Sequence, residues 1–262
     1  MRYFLHLAYK GTNYRGWQRQ PTATSIQQVL EETISKMIGE KTVCIGCGRT
    51  DAEVHASKYF AHIEVEKAFN YDPVERLNRM LPNDIAIFDC IEMPARAHTQ
   101  FDATTRSYEY RMHGRKNPFL RELSAYYPLA DLNFEEMQKV VSLLPNHEDY
   151  RAFCKTPDIY PTTICQVKSA ELIVDEAREY AIFRITSNRF LRGMIRLLVG
   201  NMILVGQGRM PFSTFENHLK TRVSPKFYTA AHPQGLYLSD VQYPFEELKS
   251  ISDKSVFPTL LF

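Results

Sequence analysis

The order of short alternating runs and helical stripes constrains this chain most: strand, helix, strand, strand, helix, strand, met twice in succession. Residues 2–9 (RYFLHLAY) alternate Tyr3, Leu5 and Leu7 with Arg2 and His6, the two-residue period of a half-buried strand. Residues 25–38 follow a helical period, with Ile26, Val29, Leu30, Ile34, Met37 and Ile38 on one face. Ser25 with Gln28 forms a capping box and Gly39 supplies the stop. Strands near 42–46 and 58–65, a short helix near 73–80 and a strand near 84–92 complete the first half. The second half has a strand near 104–112, a helix at 134–144 capped by Asn133, and strands at 164–174 and 179–187. A helix at 190–205 and a closing strand near 235–242 follow. The expectation is an α+β fold of two ferredoxin-like β-α-β-β-α-β halves, 1–100 and 101–262. An antiparallel sheet with helices on one face follows.

Composition excludes several alternatives. With 44% hydrophobic and 24% charged residues the chain can build a core, and its 11 Gly and 14 Pro exclude a collagen-like repeat. No stretch approaches the roughly 18–20 apolar residues of a membrane span, and the start lacks a secretion signal, so a soluble, cytoplasmic protein without membrane association is expected. The five cysteines, at 44, 47, 90, 154 and 165, are then expected as thiols. Cys44 and Cys47 form the single CxxC, and no second pair completes a zinc site, so no metal is assigned.

The net charge of +2 hides an uneven distribution. Between Arg184 and Lys226 there are eight basic residues against the single acid Glu216, and the remainder of the chain is correspondingly acidic. Residues 96–116 hold five basic and two acidic residues interleaved with Phe101, Tyr108 and Tyr110. Basic side chains mixed with aromatics suit a polyanion carrying stackable bases, as RNA does, although an ordinary solvated face has the same composition. Within the 190–205 helix Arg189, Arg192 and Arg196 recur at spacings of three and four, which predicts one shared guanidinium face.

The segment Gly48-Arg49-Thr50-Asp51-Ala52-Glu53-Val54-His55-Ala56 lies between two expected strands, where functional residues often sit. Its chemistry alone leaves readings open. Asp51 and His55 could be two metal ligands, Asp51 could act on a nucleic acid as nucleophile or base, or it could merely cap a turn. The chain has no phosphate-binding GxxxxGK[ST] loop and no GxSxG nucleophile elbow.

The same segment resembles the signature GRTDAGVHA of the tRNA pseudouridine synthase A family. Tyr9-Lys10-Gly11-Thr12 through Gly16-Trp17-Gln18-Arg19-Gln20 is similar to the family's opening YDGTxYxGWQRQ, and Ser25-Ile26-Gln27 to its helix start. Leu81-Pro82-Asn83-Asp84-Ile85 resembles LPxDI, and Phe101 through Tyr110 the block containing Arg106, Tyr108 and Tyr110. Phe190-Leu191-Arg192-Gly193-Met194-Ile195-Arg196, with Val199-Gly200, and the closing Gly235-Leu236-Tyr237-Leu238 extend the likeness to nearly the whole chain.

The resemblance implies a cofactor-free isomerase that converts uridine to pseudouridine in tRNA, at positions 38, 39 and 40 of the anticodon stem-loop, as a homodimer, its two halves forming a central mainly antiparallel sheet with flanking helices and an active-site cleft between them. It assigns Asp51 as the catalytic carboxylate, Arg196 as its ion-pair partner and Tyr108 as the residue stacking on the uracil. Arg49 resembles the arginine that helps splay the target base, and Arg106, Arg189 and Arg192 are expected to contact RNA. Two positions depart from the pattern: Glu53 stands where Gly is usual and Lys10 where Asp is usual. If the backbone at 53 needs a positive φ, Glu is strained where Gly is not. The alternatives are a non-catalytic RNA-binding module, a synthase with shifted uridine specificity and a metal-dependent nuclease.

Overall fold

The computed structural model describes residues 1–225 and 229–251, so Lys226 of the basic window lies outside the described residues. The first helix forms where its local signals stand. Helix α1 (Ile26–Ile38) begins after Ser25, whose side chain accepts the Gln28 N–H at 3.3 Å, and ends at Gly39 with φ +87°. Its inner face buries Ile26, Leu30, Ile34 and Met37. Two polar residues on that face are also buried and satisfied. Gln27 donates to the Cys44 carbonyl at 2.9 Å, and Glu31 accepts the Cys44 N–H at 3.2 Å. Buried polar groups are tolerable only when bonded in this way, so α1 fixes the chain around Cys44.

The described residues divide into two compact units, 1–104 with the chain from 237 onward, and 105–236. In the first, strand β1 (Arg2–Tyr9) lies between β3 (His55–Glu64) and β4 (Ile85–Met93), antiparallel to both, with Leu5 opposite Ala61 and Cys90. Strand β2 (Ile45–Gly46) pairs antiparallel with β3, and the closing strand β9 (Leu236–Gln242) pairs parallel with it, His55 facing Tyr237 and Ala56 facing Leu238. Helix α2 (Pro73–Met80) precedes β4, capped by Asp72. Phe4, Leu5, Leu7, Leu30, Ile34, Tyr59 and Phe60 form the core.

In the second unit β5 (Thr105–His113) and β7 (Val167–Val174) flank β8 (Tyr180–Ser187), each antiparallel to it. A two-residue strand β6 (Ala125–Tyr126) runs parallel to β5. Helix α3 (Phe134–Leu143) packs against β7, and α4 (Met194–Gly206) and α5 (Phe212–Thr221) pack against α3; Asn133 caps α3 by accepting the Glu136 N–H at 3.1 Å. Tyr110, Met137, Val141, Phe153, Phe183 and Phe215 are fully buried. The chain is therefore a mixed α+β protein whose sheets are mostly antiparallel, with five α-helices among the described residues.

Several boundaries differ from the sequence reading. Strand β3 starts at His55 rather than near 58, because β9 pairs with its first two residues. The expected strand at 42–46 shrinks to two residues. Helix α4 starts at Met194 instead of 190, since Gly193 at its N-cap adopts φ +72° and interrupts the helical path. Arg189 and Arg192 consequently precede the helix, and only Arg196 lies on it. The expected face of three arginines on one helix does not exist. Helix α5 was not anticipated.

Removing the Ser25 cap tests the local account of α1. Ser25→Ala should lower stability by about 1 kcal/mol, read as a lower urea midpoint at unchanged slope.

Candidate active site

The chain from Gly48 to Val54 carries Asp51 and links β2 to β3. Its conformation is set by a second stretch, residues 10–17, packed directly against it. The Trp17 N–H donates to the Thr50 carbonyl at 3.2 Å, and the Glu53 N–H donates to the Tyr14 carbonyl at 3.2 Å. The Tyr9 and Thr50 hydroxyls lie 2.9 Å apart in a buried hydrogen bond. Trp17, only 2% exposed, stacks on Tyr59 with ring centroids 4.2 Å apart, and the Tyr59 hydroxyl donates to the Gly48 carbonyl. Trp17 is thus a wall behind the Asp51 turn and is not available as a surface RNA contact.

This packing brings backbone against backbone, which explains two glycines. A Cβ at Gly11 would stand 2.0 Å from the Val54 carbonyl oxygen. Gly16 has φ +86°, and a Cβ there would stand 2.4 Å from the Thr50 carbonyl oxygen. Both distances are far inside any real contact, so only glycine fits. Within the turn, the Val54 N–H donates to the Asp51 carbonyl at 3.2 Å, and Glu53 takes φ +65°. The positive φ that would strain Glu53 is therefore present.

Asp51 is half-buried, whereas Arg49 and Glu53 are exposed. His55 is 1% exposed, its ring stacks on Tyr237 at 4.6 Å, and its Nδ1 accepts the Gly11 N–H at 3.0 Å. That use of Nδ1 makes His55 a structural joint and argues against the metal-ligand reading of Asp51 and His55.

The other expected site residues lie in the second unit. Arg106 stands opposite Ser187 across β5 and β8, and its guanidinium donates to the Asn188 carbonyl at 3.3 Å. Tyr108, two residues along β5 and 8% exposed, meets Phe190 edge-on with centroids 5.1 Å apart. Tyr110 is fully buried and donates its hydroxyl to the His232 carbonyl at 2.9 Å. Burial, then the neighbouring Tyr127, push the Tyr110 hydroxyl well above its usual pKa, while the Arg196 guanidinium acts in the opposite sense.

Arg196 sits in the first turn of α4. Its Nε donates to the Ala231 carbonyl at 2.7 Å, and the Ala231 N–H donates to the Arg196 carbonyl at 2.8 Å. Arg189 and Arg192 both border Tyr160: the Arg189 guanidinium lies 5.8 Å from its ring centroid, and its hydroxyl accepts the Arg192 N–H at 3.2 Å. Exposed Lys155 donates its N–H to the Arg192 carbonyl at 3.1 Å. Sequence spacing had no signal for Tyr160 or Lys155, which reach these arginines through an irregular segment.

The basic window also contains internal neutralisation. Arg184 pairs with Glu109 at 3.0 Å, Lys220 with Glu216 at 2.7 Å, and Arg222 with Asp149 at 3.3 Å. Glu109 and Asp149 lie outside the window, so its surplus overstates the positive charge offered to a partner.

A half-buried carboxylate on a braced turn is a candidate reacting group, and the arginines of the second unit are candidate contacts for an anionic substrate. Comparison with known proteins narrows that reading. The family model described as tRNA pseudouridine synthase matches residues 146–244. Proteins named tRNA pseudouridine synthase A from Bacteroides thetaiotaomicron and Bacteroides fragilis are 37% and 38% identical, covering 99% and 94% of this chain and 97% of each relative. The Porphyromonas gingivalis protein of the same name is 37% identical over 93% of this chain and 97% of its own. The chain belongs to the tRNA pseudouridine synthase A family, whose members are isomerases converting uridine to pseudouridine. No helix among the described residues is long and apolar enough to cross a membrane.

Gly16→Ala should be costly for two independent reasons, the positive φ and the Thr50 carbonyl. We expect a destabilisation of about 2 kcal/mol in chemical denaturation, with reduced pseudouridine formation by the fraction that remains folded.

Proposed function

We propose that this chain isomerises uridine to pseudouridine at positions 38, 39 and 40 of the tRNA anticodon stem-loop, with Asp51 as the catalytic carboxylate. The observation that carries the reading is the likeness along nearly the whole chain to proteins named tRNA pseudouridine synthase A, with Asp51 inside the matching signature. In the reaction the bond from uracil N1 to ribose C1′ breaks, the base turns, and C5 bonds to C1′. N1 gains a proton and C5 loses one, so the conversion balances without a phosphoryl or electron donor.

Asp51 acts ionised. Enclosure beside a uracil disfavours a carboxylate, and a guanidinium counters that effect, the role assigned to Arg196. The carbonyl of Ala231 fixes the Nε end of Arg196, which supports a directed role over a loose phosphate contact. Tyr108 stacks on the target uracil, and its edge-on neighbour Phe190 limits the motion of its ring. The target base leaves its helical stack first, at a cost of a few kcal/mol, and exposed Arg49 assists that step. Arg106, Arg189 and Arg192 take phosphates, the term that makes such binding salt-dependent. The proposal includes two ferredoxin-like halves, a homodimer binding tRNA across its subunits, and a cytoplasmic location.

A second reading, the same chemistry with a shifted choice of uridines, is favoured by Glu53. Its exposed carboxylate adds negative charge to the Asp51 turn where the family pattern usually has glycine.

The test incubates unmodified tRNA with the wild type and Asp51→Asn, without added metal, and maps pseudouridine by position. Asp51→Asn should lower turnover about a thousandfold or more. Product equal to the wild type would overturn the catalytic assignment, and strand scission that requires Mg²⁺ would point to a nuclease. Product outside 38–40 would select the shifted specificity. Arg196→Met should lower turnover at least about tenfold while tRNA affinity changes less; a loss confined to affinity would return it to a phosphate contact.

A further inference from the structure

Asp84 and the stretch 10–14 have no part in the chemistry just assigned, yet they are tied to the Asp51 turn. Asp84 stands between α2 and β4. Its carboxylate takes two hydrogen bonds from neighbouring residues of one stretch: the Tyr14 hydroxyl donates to Oδ1 at 2.5 Å, and the Asn13 side-chain amide donates to Oδ2 at 3.1 Å. Its backbone carbonyl accepts the Lys10 N–H at 2.9 Å. Both ends of residues 10–14 are therefore held by Asp84.

The same stretch then holds the turn. The Tyr14 carbonyl accepts the Glu53 N–H, and Gly11 donates to His55 just beyond the turn. Glu53 occupies a left-handed conformation that side-chain-bearing residues rarely adopt, so the turn is not secured by its own sequence preference. Its geometry depends on outside contacts, and Tyr14 provides one of them from a site that is 6% exposed. A hydroxyl so placed keeps one direction only while its acceptor is present.

We propose that Asp84 is a positioning residue for the isomerisation: through Tyr14 it fixes the turn Asp51–Val54 and so the direction of the Asp51 carboxylate. The proposal rests on the reading of Asp51 as the catalytic group. A reacting group displaced by about 1 Å can lose a hundredfold in rate without any loss of substrate binding. Asp84 should accordingly govern the rate on bound tRNA and leave affinity alone.

The experiment measures single-turnover pseudouridine formation at saturating enzyme on full-length unmodified tRNA, and tRNA affinity by filter binding. The variants are Asp84→Ala, Asp84→Asn, Tyr14→Phe and the double Asp84→Ala/Tyr14→Phe, all assayed well below their unfolding midpoints. Asp84→Ala and Tyr14→Phe should each slow the reaction about tenfold or more, with affinity within about twofold of wild type. Asp84→Asn should recover most of the rate, because its carbonyl still accepts from the Tyr14 hydroxyl. The double variant should be no slower than the slower single, since both remove one interaction. An unchanged rate in Asp84→Ala, a loss confined to affinity, an Asn variant as slow as Ala, or additive losses would each overturn the proposal. Should Asp84→Ala fail to fold, Tyr14→Phe and Asp84→Asn carry the same test. Failure of the Asp51 reading would appear separately, as product from Asp51→Asn.

Discussion

The contact on which the first unit depends is backbone pressed on backbone, residues 11–16 against residues 50–54. Side chains elsewhere can adjust to a neighbour by changing rotamer, but two peptide planes at this separation cannot. The Val54 and Thr50 carbonyls occupy the space where Cβ atoms of Gly11 and Gly16 would be. Three features of the site follow from this one approach. Trp17 is carried inward onto Tyr59, the Tyr14 carbonyl reaches the Glu53 N–H, and His55 receives the Gly11 N–H. The opening motif and the aspartate motif, far apart along the chain, are two faces of a single object.

Electrostatics in the second unit follow a different logic. Exposed ion pairs such as Lys220 with Glu216 contribute little to stability, usually under about 1 kcal/mol. Their effect is to remove guanidinium and ammonium groups from the total that an anionic partner meets. Arg184, bridged to Glu109, belongs to the sheet surface in this sense. The Arg189 guanidinium instead lies against the Tyr160 ring, and the Arg196 Nε is held by the Ala231 carbonyl. Direction, more than net charge, separates the two groups.

Legibility in the sequence tracked how local each cause was. Ser25, Gln28 and Gly39 announce α1 because a cap involves residues three apart, and Asn133 announces α3 in the same way. The start of α4 was misplaced because Phe190 and Leu191 continue its apolar pattern, while the positive φ of Gly193 is invisible in that pattern. The extension of β3 back to His55 depends on Tyr237 and Leu238, partners that no window around residue 55 contains. Helix α5 buries only Phe215 and Leu219, too thin a stripe for periodicity to reveal. The candidate site divides likewise. Motif likeness points to Asp51, Tyr108 and Arg196, whereas the partners of Arg184 and Arg222 lie in distant segments that no motif includes.

The pairing of β9 with β3 has a consequence for biosynthesis. The strand that opens with His55 finds its parallel neighbour only when Tyr237 and Leu238, far along the chain, have been made. At about 5–20 residues per second, roughly ten to forty seconds separate the emergence of these two partners from the ribosome. Until then the start of β3 lacks this neighbour, and the His55 ring lacks the cover of Tyr237. A polypeptide released early, short of residue 237, would retain every residue of the aspartate signature and lack the strand that closes behind it.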